Sequence, residues 1–228
     1  MKKLNISGFL LSIVLLAACG GNKQSTTDTQ ASAGKTDSTS TDKIVLFFGD
    51  SLTAGYGLDD QSQAFPGVVQ TKIDSAHLHY KVVNAGVSGE TSAGGKARIN
   101  WILKQKVDVF VLELGANDGL RGLAVSQTTQ NLQDIVDAVK TKYPRAKLMI
   151  LGMQVPPNMG SQYTSSFKTI FPELATKNNM ALVPFLLQGV GGVSSLNQKD
   201  GIHPTAEGAK IVGQNVWNVL QGVLLTKI

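Results

Sequence analysis

Four short stretches of this 228-residue chain carry residue types that together can cleave an acyl ester. Gly49-Asp50-Ser51-Leu52 places a hydroxyl just after an apolar run. Ser88-Gly89-Glu90-Thr91 offers a backbone N–H that no Cβ shields. Gly115-Ala116-Asn117-Asp118 offers a neutral side-chain amide, and Asp200-Gly201-Ile202-His203-Pro204 an imidazole with a carboxylate three residues ahead of it. Acyl transfer needs a nucleophile, a base to take its proton, a group that orients the base, and neutral donors where the oxyanion forms.

Each residue also has a plainer reading. Ser51 could be an ordinary helix cap, which Ser and Asp favour. Gly89 could be a turn glycine, Asn117 a loop cap and Asp200 the cap of a short turn. Their joint presence favours the chemical reading: Ser51 as nucleophile, His203 as base, Asp200 as its orienting partner. The oxyanion donors are then the Ser51 N–H, the Gly89 N–H and Asn117. The other two histidines, His77 and His79, sit in a polar stretch and read as surface residues. One histidine and one aspartate are too few ligands for a metal, so no metal is expected. Asp50, Glu90 and Asp118 read as structural acids that bond loop backbone. Gly55-Tyr56-Gly57 and Gly189-Val190-Gly191-Gly192 match neither a dinucleotide fingerprint nor a phosphate-binding loop, and read as plain loops.

Alternating strands and helices must position these groups. Ile44 to Phe48 is a continuous apolar run, as expected of a strand buried on both faces. Val82-Val83, Val107 to Leu114, Lys147 to Leu151 and Ala181 to Phe185 read as further strands. Helical spacing marks Phe65 to Ile73, residues 95–105 with Ile99, Ile102 and Leu103 inward, and 126–142 with Leu132, Ile135, Val136 and Val139 on one face. Helices are also expected near 163–178 and 205–221. The alternation implies right-handed crossovers and an α/β fold: about five parallel strands with helices on both faces. Ligands in such sheets bind at the carboxyl ends of the strands, where all four stretches fall.

The first residues read as a targeting segment. Lys2 and Lys3 precede an apolar stretch, Ile6 to Ala17, too short to span a bilayer comfortably. It ends Leu16-Ala17-Ala18-Cys19, which looks like a lipoprotein cleavage site, and Cys19 is the chain's single cysteine. Residues 1–18 are therefore expected to be a signal peptide, and residues 19–43 a lipidated cysteine and a flexible Ser/Thr-rich tether. Residues 44–228 are the expected hydrolase domain. Without Lys2 and Lys3, the 21 basic residues fall to 19 against 16 acidic ones, and no basic cluster is interleaved with aromatics. Nucleic acid is not an expected partner. The expected location is the bacterial cell envelope, with the anchor in the outer membrane facing the periplasm.

The same blocks resemble those of the SGNH, or GDSL, hydrolase family. Ser51, Gly89, Asn117 and His203 stand at the four defining positions, with Asp200 ahead of the histidine. The match runs on through Gly49 to Tyr56, Val83 to Thr91, Leu112 to Gly122 and Asp200 to Pro204, and is similar to the thioesterase/lysophospholipase and arylesterase branch. The resemblance spans roughly residues 44–222. It implies a three-layer α/β/α, flavodoxin-like fold, no cofactor, and hydrolysis of acyl esters and thioesters. It further implies that Gly119 to Gly122 lies in a mobile loop beside an acyl groove, with residues 156–160 lining the same groove. Leu52, Leu120 and Pro156 are then candidate substrate-binding residues. The expected partner is a small-molecule or lipid ester, and the expected state a monomer. Two alternatives stay open: an acetylesterase acting on carbohydrate or peptidoglycan, and an inactive surface binding module.

Overall fold

A computed structural model describes residues 42–226. The signal-peptide, lipidation and tether expectations fall on residues outside that range, apart from the last two tether positions. Five strands form one parallel sheet: β1 (Lys43–Gly49), β2 (Tyr80–Gly86), β3 (Val109–Glu113), β4 (Lys147–Leu151) and β5 (Ala181–Val183), in the order β2-β1-β3-β4-β5. This is the flavodoxin-like order. Val45 to Phe48 on β1 and Phe110 to Leu112 on β3 are fully buried, because helices cover both faces.

The seven α-helices among the described residues are α1 (Ser51–Ala54), α2 (Phe65–Ser75), α3 (Ser92–Ile102), α4 (Ala116–Leu120), α5 (Val125–Lys142), α6 (Ser161–Asn178) and α7 (Ala206–Leu225). Helix α2 packs with α7, while α3 packs with α5 and α5 with α6. The crossover from β1 to β2 thus runs opposite to the later ones. That reversal opens a crevice between β1 and β3 at the carboxyl edge of the sheet. Phe47 of β1 meets Phe65 of α2 edge to face, with ring centroids 5.5 Å apart. Burying such a ring contributes about 1.5–3 kcal/mol, so this face of the sheet is firmly covered.

Several boundaries differ from the sequence expectation, each for a local reason. Helix α3 starts at Ser92 rather than 95, because the Thr91 side chain accepts from the Gly94 N–H and caps the helix there. Strand β5 ends at Val183, because Pro184 follows and has no N–H to give the ladder. Helix α7 runs on to Leu225. The short helix α4 was not expected; α1 begins at Ser51 itself and α4 contains Asn117.

Candidate active site

The turn from β1 into α1 exposes Ser51. The Asp50 carboxylate accepts from the Leu52 N–H at 3.0 Å and caps the helix. That cap turns the Leu52 side chain inward. Leu52 is only 8% exposed and joins Ser51, Tyr56, Leu58, Phe65 and His203 around a cavity of about 10 Å³, room for one water at most. Leu52 is therefore part of the packed wall behind Ser51.

The loop before α7 presents His203. It is braced by an antiparallel bridge between Asn197 and Pro204 and by the Gln198 N–H donating to the His203 carbonyl at 2.7 Å. The Gln198 amide donates to the carbonyls of Tyr56 and Pro204, tying this loop to the segment after α1. Nothing in the sequence pattern pointed to Gln198.

The two loops bring 152 residues of separation down to one hydrogen bond. His203 Nε2 lies 2.8 Å from Ser51 Oγ, and His203 Nδ1 lies 2.7 Å from Asp200 Oδ2. Asp200 Oδ1 also accepts from the Ile202 and His203 N–H groups. The bond to the imidazole, followed by the two backbone bonds, holds the Asp200 carboxyl down at about 2. An ionised carboxylate can only accept, so Nδ1 carries the proton and Nε2 is left to accept from the Ser51 hydroxyl. The Tyr56 ring lies against the imidazole with centroids 4.7 Å apart, and it too escaped sequence reasoning.

Asn117, on α4 just past β3, faces the same crevice. Its Nδ2 donates to Asp50 Oδ2 and to the Glu90 carbonyl, each at 3.0 Å. One side chain thus ties the turn after β1 to the turn after β2. Gly89 occupies that second turn at φ +77°, and the Arg121 guanidinium donates to its carbonyl at 3.0 Å. Among the described residues, neither the Ser51 N–H nor the Gly89 N–H donates to a protein acceptor.

The acids flanking these residues have structural partners. Glu90 forms a bidentate pair with Arg98, which also donates to the Gly49 and Ala85 carbonyls and lies 4.0 Å over the Phe48 ring. Asp118 is buried and accepts from the Ser92 N–H and hydroxyl. Leu120 and Pro156 are both exposed. Their segments run side by side: a Cβ on Gly119 would meet Val155, and one on Gly122 would reach Met159. His77 and His79 are exposed and remote from Ser51 in the fold, at the amino-terminal edge of β2.

Comparison with known proteins identifies the family. Residues 47–211 match the model of the GDSL-like lipase/acylhydrolase family. Esterase TesA of Pseudomonas aeruginosa is 43% identical over 183 residues, spanning 80% of this chain and 90% of the relative. The thioesterase/protease/lysophospholipase of Escherichia coli is 38% identical over 178 residues, spanning 78% and 83%. The crystal structure of TesA superposes with a TM-score of 0.76 at 42% identity, covering 80% of this chain and all of that one. The chain belongs to the GDSL-like lipase/acylhydrolase family.

Proposed function

We propose that this protein is a serine esterase for short- to medium-chain acyl esters, extending to thioesters and lysophospholipids. The observation that carries the reading is the unbroken relay from Asp200 through His203 to Ser51, with bonds of 2.7 and 2.8 Å. The names of the relatives, an esterase and a thioesterase/protease/lysophospholipase, support the same reaction class.

In this mechanism His203 Nε2 takes the hydroxyl proton as Ser51 Oγ attacks the substrate carbonyl. Asp200 stabilises the imidazolium that results. The oxyanion settles on the Ser51 N–H, the Gly89 N–H and one Asn117 hydrogen, taken over from the Glu90 carbonyl. Collapse of the tetrahedral adduct breaks the acyl–oxygen or acyl–sulfur bond. His203 returns its proton to the departing alcohol or thiol. Water, deprotonated by the same imidazole, then releases the acid and restores Ser51. Leu120 and the segment around Pro156 flank the acyl chain.

We also propose that the domain is held at the cell envelope by a lipid on Cys19. This rests on the Leu16-Ala17-Ala18-Cys19 sequence. Radiolabelled palmitate incorporation that disappears in Cys19→Ala is the expected result.

Turnover of p-nitrophenyl esters of two to twelve carbons tests the substrate class. A maximum between four and eight carbons is expected. Activity confined to the acetate would favour the acetylesterase reading. A fluorophosphonate probe should label Ser51, and Ser51→Ala should lose both label and turnover with its fold intact. A folded wild-type protein that takes no label would overturn the enzymatic reading.

A further inference from the structure

Beneath the nucleophile turn lies a carboxyl that the relay does not use. Glu113 ends β3 and pairs in register with Gly49. It is fully buried. Its Oε2 accepts from the Asp50 N–H at 3.1 Å and the Thr53 hydroxyl at 2.8 Å. Its Oε1 is the one buried side-chain polar atom without a partner among the described residues. Among the described residues no cation pairs with it. Arg98 is committed to Glu90 and to the Gly49 and Ala85 carbonyls. The neighbouring acid, Asp50, is equally buried. Its two oxygens accept from the Leu52 N–H and from Asn117 Nδ2.

Two ionised carboxylates cannot share such a site, since a buried charge without a counterion is costly and like charges raise that cost. A proton on Glu113 resolves the arrangement: it removes one charge and gives Oε1 a donor role. Burial first, then the Asp50 charge, push the Glu113 carboxyl well above the ordinary range. Burial lifts Asp50 only to about 6, because the hydrogen bonds it accepts from the Leu52 N–H and from Asn117 hold it down. The other titratable groups near the pair are His203, which faces Asp50, and the Arg98–Glu90 pair beside the turn. Asp118 is turned away toward Ser92 and Thr128.

We propose that Glu113 is a positioning residue that works as a neutral acid: its O–H donates to the Asp50 carboxylate, and this one-proton pair fixes the Ser51 turn and aims the Asn117 amide. Substrate never touches it. The inference deepens the esterase reading and rests on it for its kinetic consequences, but not for its effect on stability.

Glu113→Gln and Glu113→Ala test it. A glutamine reproduces the neutral acid, with its amide oxygen toward Asp50 N and Thr53 and its NH₂ toward Asp50. It should keep kcat within about threefold of wild type at neutral pH. Alanine should lower kcat about 10²-fold, the cost of a misplaced reacting group, with KM little changed. If alanine does not fold, glutamine decides alone. A glutamine variant as impaired as alanine, or unable to fold, overturns the proposal, as does folded alanine variant with wild-type kcat.

Thermal unfolding against pH gives a readout independent of catalysis. A carboxyl raised in the folded state stabilises fully below its unfolded value and loses that contribution as pH rises toward its folded value. Wild type should therefore lose stability relative to Glu113→Gln as pH rises above about 4.5. Parallel curves for the two proteins overturn the proposal even if the enzyme reading stands. A wild-type protein inert to every ester sinks the enzyme reading, and the unfolding curves still decide Glu113.

Discussion

Gly49 and Glu113 face each other across the sheet, and the Glu113 carboxyl fills the space where a Gly49 side chain would have to go. A Cβ there would stand 2.1 Å from Thr53 Oγ1 and 2.5 Å from Glu113 Oε2. The glycine that opens the Gly-Asp-Ser-Leu stretch is thus a packing requirement of the buried carboxyl below it. Gly49→Ala should destabilise the protein by about 3 kcal/mol, the upper range for overpacking a well-packed site. Chemical denaturation should show this as a lower midpoint with an unchanged slope. The turn that carries Ser51, the proposed nucleophile, should distort as well, so kcat should fall even where the variant is folded.

Gly89 presents the opposite case. A Cβ there would find only Arg121 Nη2, at 3.9 Å, so space is ample. The obstacle is its φ of +77°, where an L side chain costs about 1–2 kcal/mol. Gly89→Ala should relieve that strain by rotating the peptide, which swings its N–H away from the oxyanion position. Stability should change by no more than about 1–2 kcal/mol, the strain itself. Removal of one oxyanion donor should lower kcat about 10²-fold. An alanine variant with wild-type kcat would remove Gly89 from the site.

The Asp200 carboxyl, held at about 2, stays ionised across any practical assay range and contributes no limb of its own to the pH–rate profile. Asp200→Asn keeps the shape of the side chain but faces Nδ1 with a group able to turn a donor toward it. The imidazole then takes the wrong tautomer, and kcat should fall by about 10³–10⁴. Stability carries its own signature. A carboxyl depressed in the folded state stabilises above its ordinary value of 3.8 and loses that contribution as pH falls through about 2. Asp200→Asn should therefore be less stable than wild type at pH 6 and converge on it near pH 2. The difference should be small, because the Asp200 side chain is 37% exposed and solvent screens it.

What could be read from the sequence was whatever is written locally. Ile44 to Phe48 declares itself as a two-sided buried strand because no polar residue interrupts it. Ser51, Asp200 and His203 stand out because glycine and proline mark their loops. The acids beside them were legible as structural, but not their partners. Glu113 interrupts the apolar run of β3, and a charged residue there is a visible signal of a buried carboxyl. Its meaning depends on Gly49, Thr53 and Asp50, which only the β1–β3 pairing brings near. Helices α1 and α4 are four and five residues long, too short for any apolar period to register. Gln198 is one polar residue in a polar loop, and its brace across to Tyr56 is purely tertiary.

Asn117 links catalysis to folding through a single amide. Both of its amide hydrogens are occupied, one by Asp50 Oδ2 and one by the Glu90 carbonyl. In the proposed mechanism an oxyanion takes over the second, and a full negative charge is a much better acceptor than a neutral carbonyl. The exchange therefore favours the tetrahedral adduct over the bound ester, which is what lowers a barrier rather than a binding constant. Asn117→Ala should reduce kcat by about 10²–10³ with KM nearly unchanged. Fluorophosphonate labelling should slow in parallel, because the phosphonyl oxygen uses the same donors. Loss of the bond to Asp50 leaves that buried carboxylate short of one donor, so the variant should also unfold about 1–3 kcal/mol more easily. Asn117→Asp should be worse on both counts, since a second carboxylate against Asp50 repels it and cannot donate to an oxyanion. If Asn117→Ala instead raises KM and leaves kcat alone, the amide binds substrate in the ground state and the oxyanion rests on the two backbone donors.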